Sequence, residues 1–166
     1  MPLVGEGFDL PQSVADRTDF HWFHCPVGGS LNLCLLPGKP IWYVAHWVHG
    51  RMIPCDGDEC ELCAKNIGTQ VRYVFAVVEI STRRPGLMEL GKSSALQIQD
   101  WGGNDGYPSF CAFEVWRPGR AKQSRIEVRR IDEQCLPWAM RVAIPDPFRA
   151  LKLTWERSAM SVHTKK

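Results

Sequence analysis

The chain has 166 residues, enough to bury an apolar core in one domain of ordinary size. Its formal net charge of +2 predicts no strong overall field, so the placement of charge matters more than its sum. No segment approaches the roughly 18 apolar residues that span a bilayer, and the first residues lack the basic and apolar regions of a signal peptide. These features argue against the membrane-spanning and secreted classes, and we expect a cytoplasmic protein with no membrane partner.

Short apolar segments alternate with turn signals from residue 20 onward, which predicts one mainly β domain over residues 20–160. Residues 1–19 are expected to be a weakly ordered lead-in, and residues 161–166 to be a frayed C-terminus. No internal repeat or low-complexity segment interrupts this pattern.

Aromatic and β-branched residues predict five strands, at 30–36, 41–49, 70–80, 109–117 and 124–131. Residues 86–90, GLMEL, form a short extended piece. Ser-rich capping chemistry predicts a helix at 92–100, and an Asp146 cap followed by Pro147 predicts a second helix at 146–157. Five short strands at this spacing are typical of a small barrel or sandwich.

The segment HGRMIPCDGDECELCAKN, residues 49–66, holds three of the seven cysteines within nine positions. Cys60 and Cys63 have the C-x-x-C spacing that lets two thiolates bind one ion, and the intervening Asp-Gly-Asp turn can bring Cys55 to them. An odd, clustered set of cysteines favours a metal over disulfides. We expect a structural zinc site in the loop 46–66, closed by three thiolates and one imidazole, with no position left for water.

Two histidines, His46 and His49, are candidates for the fourth ligand. They have opposite parity in the predicted strand 41–49, so they face opposite sides of it and at most one is expected to bind. The spacing leaves the choice open. A separate metal site is an alternative that uses the motif HWFHC, with His21, His24 and Cys25. The other cysteines lie in apolar contexts and are expected to be small core residues: Cys34, Cys111 and Cys135.

Aromatic and basic residues interleave along the predicted strands, as in proteins that bind single-stranded nucleic acid. Rings stack on unpaired bases, at about 1–3 kcal/mol each, and cations follow the phosphates. The side chains expected to stack are Tyr43, Trp47, Tyr73 and Trp116. Those expected to neutralise phosphates are Arg72, Lys92, Arg117, Arg120, Arg125 and Arg129. Phe75 and Phe113 are expected in the core.

Motifs that carry catalysis are missing from the sequence. The segment GGNDG, residues 102–106, lacks the Lys and the helix start of a phosphate-binding loop. No Ser lies on a nucleophile elbow, and no pair of carboxylates is specified by its spacing. We therefore expect a binding protein rather than an enzyme.

Several motifs taken together resemble the zinc-containing single-stranded-DNA-binding proteins of phages and mobile elements, the family of the T-even phage replication protein. They are HWVHGRMIPCDGDECELC, RYVFAVVEI, GLMELGKSSALQIQDW and FCAFEVWRPGR followed by RIEVRRI, over about residues 40–131. The resemblance implies a five-stranded OB-fold barrel with a zinc-binding loop insertion. It also implies sequence-independent binding of single-stranded DNA in replication, recombination or repair. The His-to-Cys and Cys-to-Cys spacings are shorter here, and the C-terminal SVHTKK is basic where such proteins often carry an acidic tail.

Three other interpretations stay open at this point. A zinc-dependent nuclease or deaminase would require His21 or His24 with an acidic partner near an open metal site. A zinc-stabilised interaction module could recruit a helicase, recombinase or nuclease, with any contact to DNA being indirect. RNA could replace DNA, because stacking does not read the sugar. The sequence also leaves open whether the chain forms a homo-oligomer and which replication or recombination proteins it contacts.

Overall fold

The computed structural model describes residues 20–119 and 125–163, so the expected lead-in 1–19 and residues 164–166 of the expected frayed end lie outside the described residues. The described part is mainly β. Its eight strands are β1 Trp22–Phe23, β2 Ser30–Leu35, β3 Ile41–Val48, β4 Arg51–Pro54, β5 Thr69–Glu79, β6 Pro85–Gly91, β7 Ala112–Trp116 and β8 Glu127–Arg130. Its four helices are α1 Glu61–Ala64, α2 Lys92–Gly102, α3 Leu136–Ala139 and α4 Pro147–His163, with 3₁₀ turns at Gly57–Glu59 and Gly103–Asp105.

All eight strands belong to one mixed sheet organised around β5. The first half of β5 pairs antiparallel with β3, and its last residues pair antiparallel with β2. The opposite edge of β5 pairs antiparallel with β6. From β2 the sheet continues through β7 to β8, while β4 extends it from β3.

The predicted five-stranded barrel is not confirmed, because the sheet stays open. The strand path runs β1-β6-β5-β2-β7-β8, and no pairing joins β6 to β8 among the described residues. Instead β1 lies parallel to β6 and occupies part of its outer edge, with Trp22 opposite Leu87 and Phe23 opposite Met88. We call the gap between the outer edge of β6 and β8 the seam.

Apolar layers cover both faces of the sheet. One layer contains Phe75 and Phe113, as predicted, together with Ile98 of α2. The other layer contains Val74 and Ala76 from the opposite face of β5, with residues of α3 and α4 packed on them. Residues 74–78 of β5 are each at most 3% exposed, because successive side chains enter different layers.

Both predicted helices are confirmed, with small changes at their ends. Helix α2 runs two residues further than predicted and stops where Gly103 takes a positive φ of 52°. The Asp146 carboxylate caps α4, because its Oδ1 accepts hydrogen bonds from the backbone N–H groups of Phe148 and Arg149 at 2.9 and 3.2 Å. Helix α4 continues to His163, beyond the predicted end.

Several short elements were not predicted. Strand β4 forms because His49 and Gly50 both take positive φ, 47° and 78°, the backbone of a two-residue hairpin turn. Strand β3 therefore ends at Val48, one residue before the predicted end. Strand β6 extends the expected piece 86–90 by one residue on each side.

No helix in the described ranges has both the length and the apolar character needed to cross a membrane.

A substitution in the first apolar layer tests this architecture. Phe113 is 0% exposed and Phe148 on α4 is 51% exposed, so the two form a matched pair. We expect Phe113→Ala to lower the free energy of unfolding by about 3–5 kcal/mol, because it removes a buried ring and leaves a cavity. Phe148→Ala should cost far less. Urea denaturation of both variants measures the difference, and equal losses would contradict the assigned layers.

Candidate metal centre and adjoining cleft

Four residues of the β3–β4 hairpin and the following loop bring their ligand atoms together. They are His46, Cys55, Cys60 and Cys63, and their ligand atoms all lie within 4.8 Å of one another. His46 lies on β3, and the backbone N–H of Cys55 bonds to the Val44 carbonyl at 2.9 Å, which continues the hairpin past β4. Cys60 and Cys63 lie just before and within α1, whose single turn brings the C-x-x-C thiols to one side.

The distances within this cluster fit a tetrahedral ion. The Sγ atoms of Cys55 and Cys63 are 3.6 Å apart, and His46 Nε2 lies 3.3 Å from Cys60 Sγ and 3.5 Å from Cys63 Sγ. For tetrahedral zinc, metal–sulfur bonds of about 2.3 Å and metal–nitrogen bonds of about 2.0 Å require S···S distances of about 3.8 Å and S···N distances of about 3.5 Å. The four residues thus form a candidate metal site as they stand.

The imidazole of His46 is held in the tautomer that a metal needs. Its Nδ1 lies 2.9 Å from the Ile67 carbonyl oxygen and 3.2 Å from that of Gly68. A carbonyl oxygen only accepts, so Nδ1 carries the proton and the lone pair of Nε2 faces the cysteines. A backbone carbonyl behind the ring is the usual outer partner of a metal-binding histidine.

His49 takes no part in the cluster. It sits in the hairpin turn, exposed, with a φ of 47°. His46 is 0% exposed and points to the loop. The cluster therefore decides between the two histidines that the sequence left open.

The electrostatics of the thiols favour a cation between them. Hydrogen bonds from backbone N–H groups, first that of Cys63 and then that of Asp56, lower the pKa of the Cys60 thiol. The neighbouring thiol of Cys55, followed by burial, raises the pKa of Cys63. Ionising all three thiols so close together is unfavourable unless a positive charge compensates them.

The remaining cysteines do not make a second centre within the described residues, where this cluster is the one group of three or more candidate ligands. Cys25 is buried, with its Sγ 3.7 Å from the Val115 carbonyl oxygen. Cys34 and Cys135 are buried as predicted, and Cys111 is half-buried.

A cleft of about 860 Å³ opens beside the metal-binding hairpin. It lies at the seam, between the end of β6 and the residues that precede β8, and both residues of β1 line it. Four of the residues predicted to bind nucleic acid line it: Trp47, Arg72, Arg117 and Arg125. Ser94 on α2 donates to the Ile126 carbonyl at 3.1 Å and links the two sides.

The other predicted contacts lie elsewhere. Tyr43 packs against Trp155 of α4, with ring centroids 5.6 Å apart, and Tyr73 packs against the first apolar layer. Trp116 is covered on one side by the guanidinium of Arg129, which also pairs with Glu114. Lys92 is exposed at the start of α2. Arg120 lies outside the described residues.

Glu89 is a cleft residue that the sequence interpretation missed. It lies on β6 and accepts hydrogen bonds from Arg72 Nε at 2.8 Å and from the Tyr43 hydroxyl at 2.6 Å. Burial, followed by this carboxylate, raises the pKa of Tyr43, so its hydroxyl stays a donor. If residues 86–90 are treated as a full strand, the alternation of side chains places Glu89 on the opposite face from the apolar residues next to it in sequence.

The two histidines provide a matched test of the metal site. We expect His46→Asn to lose most of the affinity for Zn²⁺ or Co²⁺, because it removes the nitrogen ligand. His49→Asn should bind one ion per chain like the unmodified protein, and Asn tolerates the positive φ of that turn. Titration with Co²⁺, followed by the absorption of thiolate-bound cobalt, measures both. Equal cobalt affinity of the two variants would contradict the assignment of His46.

Comparison with protein-family models, with curated proteins and with solved structures finds no match to this chain.

Proposed function

We propose that this protein binds single-stranded DNA without sequence specificity, carries a structural zinc ion and catalyses no reaction. It would act in the cytoplasm, in DNA replication, recombination or repair of a phage or mobile element. The observation that supports this most directly is the composition of the cleft. Trp47 comes from β3, Arg72 from β5, and Arg117 and Arg125 from either side of the β7–β8 connection, yet all four line one cavity.

The cleft suits an unpaired strand better than a duplex. Trp47 is 47% exposed, so its ring is accessible to a base. Arg125 is 68% exposed, and its Nε lies 3.5 Å from Glu127, an exposed pair that contributes little and can exchange for a phosphate. A stacking ring beside positively charged side chains is the combination that single-strand binding uses.

The arrangement of loops supports an OB-like interpretation of the open sheet. Ligands of OB folds bind across strands 2 and 3 and between two loops, one of which joins strands 4 and 5. Here β5 and β6 supply one wall of the cleft. The β3–β4 hairpin and the described residues at the two ends of the β7–β8 connection line it, and α2 follows β6. In this proposal the seam is the opening of a partial barrel.

Zinc is the ion that the donor set favours. Three thiolates and one imidazole in a tetrahedron are typical of structural zinc, and the closed shell leaves no place for a reactive water. When bound, the ion would cross-link β3 to the loop after β4. Such sites can contribute on the order of 10 kcal/mol to folding.

One observation favours the second candidate, a protein-interaction module. Trp42 is 65% exposed and, being five residues from Trp47 on the same strand, faces the opposite side of β3. A partner such as a helicase, recombinase or nuclease could cover it. A gel shift with a random single-stranded oligonucleotide separates the candidates, because the interaction module alone would give no shift.

Salt dependence tests the single-strand proposal. We expect binding of a fluorescent oligo-dT to weaken as salt rises, with log affinity falling by about 0.7 per phosphate contact for each unit of log salt. Fluorescence anisotropy at several salt concentrations measures the slope, with the matching duplex as control. Affinity for oligo-dT that does not change with salt, or tighter binding of the duplex, would count against the proposal. An oligo-U arm decides whether RNA binds equally well.

The two tryptophans of β3 test which face binds. Trp47→Ala should weaken binding of oligo-dT by about 1–3 kcal/mol, because it removes a stacking ring from the cleft. Trp42→Ala, on the opposite face, should leave the affinity nearly unchanged. The same anisotropy titration measures both variants. A larger loss of affinity from Trp42→Ala would place the bound DNA on the other side of the sheet.

A further inference from the structure

Arg72 and Glu89 form an ion pair in the wall of the cleft. Arg72 Nε donates to Glu89 Oε1 at 2.8 Å, and the side chains are only 19% and 24% exposed. The Tyr43 hydroxyl donates to the second carboxylate oxygen at 2.6 Å. Both oxygens of Glu89 are therefore engaged, and the carboxylate is tied to β3 as well as to β5.

The guanidinium of Arg72 also lies beside the backbone of β6, at a glycine. Arg72 lies opposite Gly91 in the β5–β6 register. A Cβ on Gly91 would stand 3.3 Å from Arg72 Nη1, closer than side chains normally approach. Because Gly91 has no side chain, the guanidinium of Arg72 has room beside it. Glu89 holds the Nε atom of the same guanidinium.

This pairing separates two properties of an arginine. Its positive charge is compensated by Glu89, and the same carboxylate repels a phosphate that approaches. Its Nη groups remain directional donors in a fixed plane. Arg125 differs in both respects, because it is 68% exposed and its contact with Glu127 is 3.5 Å long.

Building on the proposed function, we infer that Glu89 is a positioning residue that holds Arg72 as a hydrogen-bond donor for carbonyl oxygens of unpaired bases. Arg125, in contrast, neutralises phosphate. Thymine and guanine offer a carbonyl acceptor where adenine presents an amino donor, so within otherwise sequence-independent binding the Arg72 position favours thymine over adenine. Arg72 is thereby assigned to base contact rather than to the phosphate contact expected from its charge alone.

The test measures two readouts, the salt slope and the ratio of affinities for oligo-dT and oligo-dA, on the full chain. Arg72→Ala should lower the dT-to-dA ratio by about tenfold and leave the salt slope unchanged. Arg125→Ala should make the slope shallower by about 0.7 and leave the ratio unchanged. Because adenine strands stack on themselves, only changes of the ratio relative to the unmodified protein count.

Glu89→Gln tests the positioning role with a side chain of the same shape. It removes the negative charge that compensates Arg72, so Arg72 becomes available to a phosphate. The salt slope should therefore become steeper by about 0.7, while the dT-to-dA affinity ratio falls. Arg72→Lys keeps the charge but loses the planar fork, so it should lose the preference without changing the slope. A merely structural role for the pair would weaken binding of both oligomers equally.

Three results would overturn the inference. One is a shallower slope for Arg72→Ala, matching that of Arg125→Ala, since Arg72 would then contact a phosphate. Another is an unchanged dT-to-dA ratio in both Arg72→Ala and Arg72→Lys. The third is absence of any binding by the unmodified protein, which would overturn the proposed function together with the inference, whereas the first two leave single-strand binding intact.

Discussion

The burial of β5 on both faces is the constraint on which the rest of the structure depends. Five consecutive residues, 74–78, are almost inaccessible, and they alternate between two apolar layers. A strand buried in this way needs partners on both edges and covers on both faces. Strands β2, β3 and β6 supply the edges, α2 lies in one layer, and α3 with α4 supplies the other cover.

Two-sided burial also bears on why the closed five-stranded barrel is not confirmed. A small barrel has one interior, so it can bury the side chains on only one face of each strand. A strand that is apolar on both faces then leaves apolar side chains that need a second cover. The segment VFAVV contains this information, because continuous apolar runs are typical of strands covered on both faces. What the sequence could not show is which later segment would cover the second face. That cover comes from residues near the C-terminus, through long-range packing that local patterns do not encode.

The metal cluster was predictable to a greater degree. The C-x-x-C spacing and the preceding Cys55 predicted three of its members, since short loops have few ways to place thiols. The histidine could not be chosen from spacing, because the choice depends on the His49–Gly50 turn and on the Ile67 carbonyl behind the ring. The predicted nucleic-acid contacts scatter more widely. Tyr43 and Trp116 already have partners in the protein, and an aromatic residue in a sequence does not show whether its ring is covered.

The hairpin β3–β4 connects the metal cluster to the cleft. Neighbouring residues of β3 point to opposite sides, so His46 enters the metal cluster while Trp47 reaches the cleft. The position of the Trp47 ring is therefore determined by the same backbone that the cluster restrains. From the same face of β3, a series of direct contacts runs from α4 to the cleft through Trp155, Tyr43, Glu89 and Arg72.

The seam has a mechanical consequence. Where two strands are joined by a ladder, moving them apart breaks backbone hydrogen bonds one after another. Between β6 and β8 the described residues show no such ladder, and the Ser94 hydroxyl spans the gap to Ile126. A small shift of α2 relative to β8 can thus change the width of the cavity mouth, while every backbone hydrogen bond of the sheet stays intact.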